Sequence, residues 1–245
     1  MNEREKIVPY KSSDATKKEQ VAQMFDTISS NYDGLNRVIS MGTDISWRKK
    51  VLKIIEDSNP DNILDIATGT GDLAILMAET KATSIIGIDI SEGMLAVGKE
   101  KIIDKKLEHK IILKYGDSEN IPYEDNYFDA ITVAFGIRNF ENLDKGLQEI
   151  FRVLQPKGVL VILETSIPDK FPFKQGYNFY TKFILPSIGR LFSKDKVAYQ
   201  YLSESANNFP YGEKLNNILR KNGFIEVVAM PQTFGVATIY KATKS

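Results

Sequence analysis

The stretch "NILDIATGTGDLA", residues 62–74, decides the fold. An apolar run of strand length ends in a Gly-x-Gly turn and passes into helical spacing, as where a strand feeds a helix in an α/β unit. The alternation continues downstream. "SIIGIDI" reads as a strand, "EGMLAVGKEKIID" as a helix, "KIILKYGD" and "FDAITVAFG" as strands. "LDKGLQEIFRVL" reads as a helix ended by Lys157-Gly158, and "GVLVILET" as a fifth strand. Near-continuous apolar strands between amphipathic helices predict a parallel sheet covered on both faces. After a helix at "GEKLNNILRKNG", the strands "FIEVVAM" and "FGVATIYKA" have almost no connection between them. They should pair antiparallel, because a parallel crossover needs a dozen residues or more. The expected fold is α/β and Rossmann-like: a seven-stranded, mostly parallel sheet with an antiparallel C-terminal strand and helices on both faces.

Before this core, residues 1–15 read as a flexible N-terminus and residues 16–60 as a helical lid. One helix should run from Lys17 to about Tyr32, with Val21, Met24, Phe25 and Ile28 on one face. A second should run through "WRKKVLKIIED", capped by Asp44 or Ser46. Residues 166–210 interrupt the pattern with an aromatic-rich insertion, and 16–245 reads as one domain. Lys+Arg and Asp+Glu balance at 32 each, so no global field draws in nucleic acid. The chain has no cysteine, which excludes disulfides, thiol catalysis and Cys-ligated metals. The single histidine, His109, sits among charged residues and argues against His-based metal sites and Ser-His-Asp triads, so no metal is expected. The charged start "MNEREKIVPYKSS" is unlike a signal peptide, and no run approaches 18 apolar residues. The expected location is the cytoplasm.

What the glycine turn binds depends on its neighbours. Asp65 precedes it and Asp72 follows Gly71 at the helix start, where a pyrophosphate would otherwise be favoured. Two carboxylates there repel phosphate and suit a cationic amine with a sulfonium, which points to S-adenosyl-L-methionine. Gly69 and Gly71 leave the backbone open to close approach. Asp89, eighteen residues past Gly71 and followed by Ile90, ends the second strand and can accept from ribose hydroxyls. Asp117 and Ser118, after the third strand, can meet an adenine through a carboxylate and a backbone N–H. A nicotinamide-dependent reductase is disfavoured by the two acids and by the lack of an obvious Tyr-x-x-x-Lys pair.

The motifs "YDGLNRVISMGTDISW" (32–47), "LDIATGTGD" (64–72), "GDSENIPYEDNYFDAITVAFGIRN" (116–139) and "RVLQPKG" (152–158) resemble the UbiE/MenG family of quinone-biosynthesis C-methyltransferases, within the class I methyltransferases. The likeness runs from about residue 20 to the end. It implies cofactor contacts at Thr70, Asp89, Asp117 and Ser118. It also implies methylation of a polyprenyl quinol, foremost demethylmenaquinol in menaquinone biosynthesis. The alternatives are the 2-methoxy-6-polyprenyl-benzoquinol step of ubiquinone synthesis and methylation of another lipophilic molecule. The chain departs from the family pattern at Leu35, where Met is common, at Asp44, where His is common, and at Ala134, where some members carry Ser.

For the substrate, Arg138 and Asn139 in "FGIRNF" fall at the active-site edge of the sheet. A cation there would favour a phenolate without being the base; the competing reading is a surface salt bridge of little worth. Tyr32, Asp33 and Asn36 are placed at the end of the first helix and its following loop, with Tyr32 as a substrate or proton-path contact or as a packed lid aromatic. The insertion carries Phe171, Phe173, Tyr177, Phe179, Tyr180, Phe183, Ile184, Leu185, Ile188, Leu191 and Phe192, with Lys174, Lys182 and Arg190 among them. It reads as a packed subdomain or homodimer contact, or as a polyprenyl channel making transient membrane-surface contact, peripheral at the inner face of the cell membrane.

Overall fold

The computed structural model describes residues 7–184 and 196–245. In chain order the elements are α1 (Lys17–Ile28), α2 (Tyr32–Ile39), α3 (Thr43–Asp57), β1 (Asn62–Ile66), α4 (Asp72–Met77), β2 (Ser84–Asp89), α5 (Glu92–Asp104) and β3 (Ile111–Tyr115). There follow β4 (Phe128–Ala134), α6 (Leu143–Val153), β5 (Leu154–Thr165), α7 (Phe173–Phe179), α8 (Lys196–Asn208), α9 (Glu213–Lys221), β6 (Phe224–Gln232) and β7 (Ala237–Lys244). Among the described residues the strands form one seven-stranded sheet in the order β3-β2-β1-β4-β5-β7-β6.

The pairs β3-β2, β2-β1, β1-β4 and β4-β5 are parallel. β7 runs antiparallel to both β5 and β6. The short turn Thr233–Gly235 joins β6 to β7, so antiparallel pairing follows from the connection length as expected. Strand order reverses between β1 and β4, and open α/β sheets bind ligands outside the carboxyl ends of their strands at such a point.

Alternate residues of β1 feed two cores. Leu64 and Ile66 pack with Leu147, Ile150 and Val153 of α6 and with Leu215 and Leu219 of α9. Ile63 packs on the other face with Val51 and Ile55 of α3 and with Leu73 and Met77 of α4. That is the period-two pattern of a strand buried on both sides. A third cluster joins Val21, Met24 and Ile28 of α1 to Met94 of α5 and to Ala198 and Tyr201 of α8. It anchors the N-terminal helix across the strand ends.

Three local expectations need correction. The first helix stops at Ile28, after a capping box between Thr16 and Glu19 at its start. Ser29–Asn31 form a tighter turn in which the Ser29 hydroxyl bonds the Asp26 carbonyl at 3.0 Å. Such short polar side chains compete with the helical ladder. Tyr32, Asp33 and Asn36 therefore lie on a separate helix, α2, rather than on a helix end and loop. Neither Asp44 nor Ser46 caps α3; it starts at Thr43 after Gly42, whose φ of 74° permits the tight turn between α2 and α3. Lys157-Gly158 does not end α6. The helix stops at Val153, β5 begins at Leu154, and the pairing with β4 shifts register between Phe128 and Ala130.

Candidate active site

The carboxyl ends of β1 to β4 border a narrow cleft of about 70 Å³. Gly69, Asp89, Ile90, Asp117, Ser118 and Asn139, all expected site residues, line it. Gly69 has a φ of 57° and open space where a Cβ would stand. Its N–H donates to Asp89 Oδ2 at 2.8 Å, and the Ser91 N–H donates to Oδ1 at 2.9 Å. Burial still outweighs these donors and holds the Asp89 carboxyl above its ordinary value. Asp117 is already engaged. Its Oδ2 accepts from Lys18 Nζ of α1 at 2.5 Å and its Oδ1 from the Glu119 N–H at 2.9 Å. Asn139 Oδ1 accepts from the Tyr201 hydroxyl at 3.1 Å. Ala134 also faces the cleft.

Asp65, Thr70 and Gly71 lie beneath the cleft instead of on its wall. Asp65 is 1% exposed, and its two oxygens accept from Thr68 Oγ1 and Thr132 Oγ1, each at 2.6 Å. Burial pushes its carboxyl up to about 6. It ties the turn to the sheet. Thr70 Oγ1 donates to Asp33 Oδ1 of α2 at 2.6 Å. Gly71, at φ 75°, starts α4, and a Cβ there would press on Leu113 at 3.2 Å. Asp72 accepts from Lys101 and from Arg37, the latter at 3.2 Å. Burial alone would raise this carboxyl, but Lys101 and the neighbouring arginines hold it below its usual value. Asp72 thus belongs to an ion-pair network with Lys101 and Arg37, and it does not line the cleft.

A larger cavity of about 990 Å³ adjoins the cleft; Tyr32 and Phe135 line both. Tyr32 packs edge-on against Phe25 at 5.8 Å. Burial holds its phenol above the ordinary tyrosine value, so at neutral pH it is a hydrogen-bond donor and not a base. Arg138 lines the larger cavity and is no surface group. Its Nη1 donates to Glu164 Oε1 at 2.6 Å and to the Phe135 carbonyl at 2.8 Å. Burial opposes the charge, but the Glu164 carboxylate beside it overcomes that penalty and keeps the guanidinium protonated. Phe135 carries a φ of 57°, a left-handed backbone that a bulky residue rarely adopts and that is concentrated at functional sites.

Sequence reasoning missed Glu164, Lys18 and Arg48. A charged residue closing the apolar run "GVLVILET" was the available signal for Glu164, since such residues are seldom buried without a partner. For Arg48 the signal was its place four residues after Asp44 on one helix. No sequence pattern marks Lys18.

Part of the insertion walls the larger cavity: Phe173, Tyr177 and Tyr180 face it, as do Met41 and Phe234. The Tyr180 hydroxyl donates to the Ile39 carbonyl at 2.7 Å, Trp47 Nε1 donates to Thr233 Oγ1 at 2.8 Å, and Phe173 stacks on Phe234 at 3.9 Å. These contacts close the wall from three separate parts of the chain. Met41, Phe171 and Phe234 are 76%, 80% and 69% exposed, and Phe179 and Phe183 are exposed as well. Leu185, Ile188, Arg190, Leu191 and Phe192 lie outside the described residues. No helix among the described residues is long and apolar enough to cross a membrane. His109 is exposed and lines neither the cleft nor the larger cavity.

The model of the ubiE/COQ5 methyltransferase family matches residues 13–244. A demethylmenaquinone methyltransferase of Bacteroides fragilis is 50% identical over 241 residues, 98% of either chain. A ubiquinone/menaquinone biosynthesis C-methyltransferase UbiE of Geobacter sulfurreducens is 42% identical over 241 residues, 98% of this chain and 93% of that one. A solved SAM-dependent methyltransferase of Thermotoga maritima, described as a possible histamine N-methyltransferase, superposes with a TM-score of 0.64 at 18% identity over 91% of this chain and 99% of that one. This last likeness establishes the fold.

Proposed function

The chain belongs to the ubiE/COQ5 methyltransferase family, and from that premise we propose that it C-methylates the ring of a polyprenyl quinol, demethylmenaquinol to menaquinol. Its methyl donor is S-adenosyl-L-methionine. One observation carries the substrate reading: a narrow cleft at the strand ends, which holds the Asp89 and Asp117 carboxylates, shares Tyr32 and Phe135 with a cavity of about 990 Å³ that is mostly apolar and rimmed by exposed aromatics. A polar cofactor and a greasy ring would meet at those two residues.

The cleft's donor set fits the cofactor. Asp89 keeps free lone pairs for ribose hydroxyls beyond the two N–H groups it accepts. Asp117 and Ser118 would take the adenine once Lys18 yields, and Gly69 and Ile90 would offer backbone contact. Asp65, Thr70 and Gly71 would shape the turn from below. The cofactor supplies an electrophilic methyl group. The chain's own residues must place an electron-rich ring carbon next to it and favour loss of the phenolic proton. Positioning can be worth roughly 7–11 kcal/mol of barrier. Arg138, oriented by Glu164, would donate to the developing oxyanion. Tyr32 would donate a hydrogen bond to the ring oxygen or relay its proton to water, and Asn139 would fix the seam between the two spaces.

The exposed Met41, Phe171, Phe179, Phe183 and Phe234, with Lys174 and Lys182 beside them, support docking of this rim on a lipid surface, from which a polyprenyl tail could enter. Flotation with anionic vesicles tests this; a second copy of the chain covering the rim would appear instead as a dimer in solution.

The deciding experiment is methyl transfer from labelled S-adenosylmethionine to detergent-solubilised demethylmenaquinol and, in parallel, to polyprenyl methoxybenzoquinol. Label on the naphthoquinol alone is expected. Label on both makes the chain a dual-pathway enzyme, in keeping with the name of the Geobacter sulfurreducens relative. Label on neither, with cofactor binding intact, overturns the substrate.

A further inference from the structure

Among the described residues, the cations on the wall of the larger cavity are Arg138 and Arg48. The role proposed for Arg138 leaves Arg48 without one. Arg48 lies on α3 with its side chain 11% exposed, and its Nη1 donates to Asp44. Asp44 is 2% exposed and also accepts from Arg37 Nη1 and from Ser40 Oγ, both at 2.7 Å. A carboxylate so saturated holds the guanidinium in place rather than letting it swing. The Arg48 guanidinium carbon stands 5.6 Å from the centroid of the Phe135 ring. The same Phe135 gives its carbonyl to Arg138. One residue with a left-handed backbone therefore touches both arginines, one through its ring and the other through its main chain.

The two arginines are built alike. Each gives Nη1 to its own buried carboxylate, and each keeps a buried Nε with no acceptor among the described residues. Buried donors without acceptors are rare and mark places where a polar partner is expected. Both charges also act on the Tyr32 hydroxyl between the two spaces.

We propose that Arg48 is a second substrate-binding residue, which takes the remote oxygen of the ring while Arg138 takes the oxygen beside the methylated carbon. The pair would select rings bearing two oxygens over rings bearing one. Two fixed guanidiniums in the lining of one cavity, each in contact with Phe135, define where the ring's two polar ends must lie. This inference rests on the quinol reading.

The test compares two acceptors in the full-length enzyme: short-tailed demethylmenaquinol, and a prenylated naphthol that keeps the hydroxyl beside the reacting carbon and lacks the remote one. In the wild type the naphthol should show a KM higher by roughly 10- to 100-fold, the worth of one hydrogen bond to a charged group. Arg48→Gln should raise KM for the quinol by a similar factor, leave KM for the naphthol unchanged, and leave cofactor affinity by calorimetry unchanged. Arg48→Lys should recover part of the loss. Equal KM for both acceptors in the wild type overturns the proposal without any variant. So does an Arg48→Gln effect of the same size on both acceptors, which would mark a purely structural role. A wild type that binds cofactor but methylates neither acceptor overturns the quinol reading itself, and this inference falls with it.

Discussion

Arg138 and Glu164 pair at 2.6 Å with side chains only 7% and 1% exposed. Such a pair contributes little net stability, yet removing one member strands a charge at a cost of about 3–5 kcal/mol. Arg138→Ala and Glu164→Ala should each lower stability by about that amount in urea unfolding. The double replacement Arg138→Met with Glu164→Leu should recover most of it while leaving methyl transfer as slow as in Arg138→Ala. If the double variant were as unstable as the two singles summed, the pair would not be the source of the loss. Arg138→Ala should still bind cofactor and turn over slowly. Normal turnover would remove Arg138 from the chemistry.

Asp89 offers a different separation of roles. Replacing it with Ala removes the proposed ribose acceptor and orphans the Gly69 and Ser91 N–H groups. Loss of one to two charged hydrogen bonds predicts a fall in cofactor affinity of at least ~10- to 100-fold in titration calorimetry. Asp89→Asn keeps the shape and should lose less. A cofactor affinity unchanged in Asp89→Ala would place the ribose elsewhere.

The sheet was legible because parallel strands buried on both faces read as unbroken apolar runs, and because the link from β6 to β7 is too short for a crossover. The cleft was legible for a related reason: Asp89 and Asp117 stand where strands end, a place that topology alone assigns to ligands. Charge reading was less secure. Asp65 and Asp72 look alike in sequence, but one hydrogen-bonds two buried threonines and the other pairs with Lys101 and Arg37, and of those partners all but Thr68 come from distant segments. The Asp44-Arg48 spacing and the acid that closes the β5 run were local signals, but that Arg48 and Arg138 are buried on one cavity wall depends on segments far apart in the chain.

The lid over the cleft predicts a salt-sensitive step. At about 70 Å³ the cleft is far smaller than the ~300–1,000 Å³ typical of small-molecule sites, and α1 contributes Lys18, Val21 and Phe25 to its wall, so an outward shift of α1 is the expected accompaniment of cofactor entry. The Lys18–Asp117 pair, with both side chains partly exposed, spans the gap between them. Exposed pairs are weak and screened by salt. Lys18→Met should speed cofactor association in stopped-flow measurements, more at low ionic strength than at high. An association rate that matches the wild type at every salt concentration would mean that this contact does not gate entry.

Asp65 predicts a pH dependence of stability with a definite sign. Burial raises its folded value from 3.8 to about 6, so the native state holds the proton more tightly than the unfolded chain does. The resulting stabilisation is fully present below pH 3.8 and is lost as pH rises through about 6. A rise from 3.8 to about 6 corresponds to about 3 kcal/mol. Asp65→Asn cannot ionise, and the Thr68 and Thr132 hydroxyls can rotate to suit an amide. Other carboxylates titrate alike in both proteins, so the difference between them isolates this group. Wild-type stability minus that of Asp65→Asn, from urea midpoints at pH 4 to 8, should fall by roughly 2–2.5 kcal/mol across the range. A flat difference would mean that the carboxyl beneath the glycine turn stays ionised throughout, with the two threonine hydroxyls offsetting its desolvation.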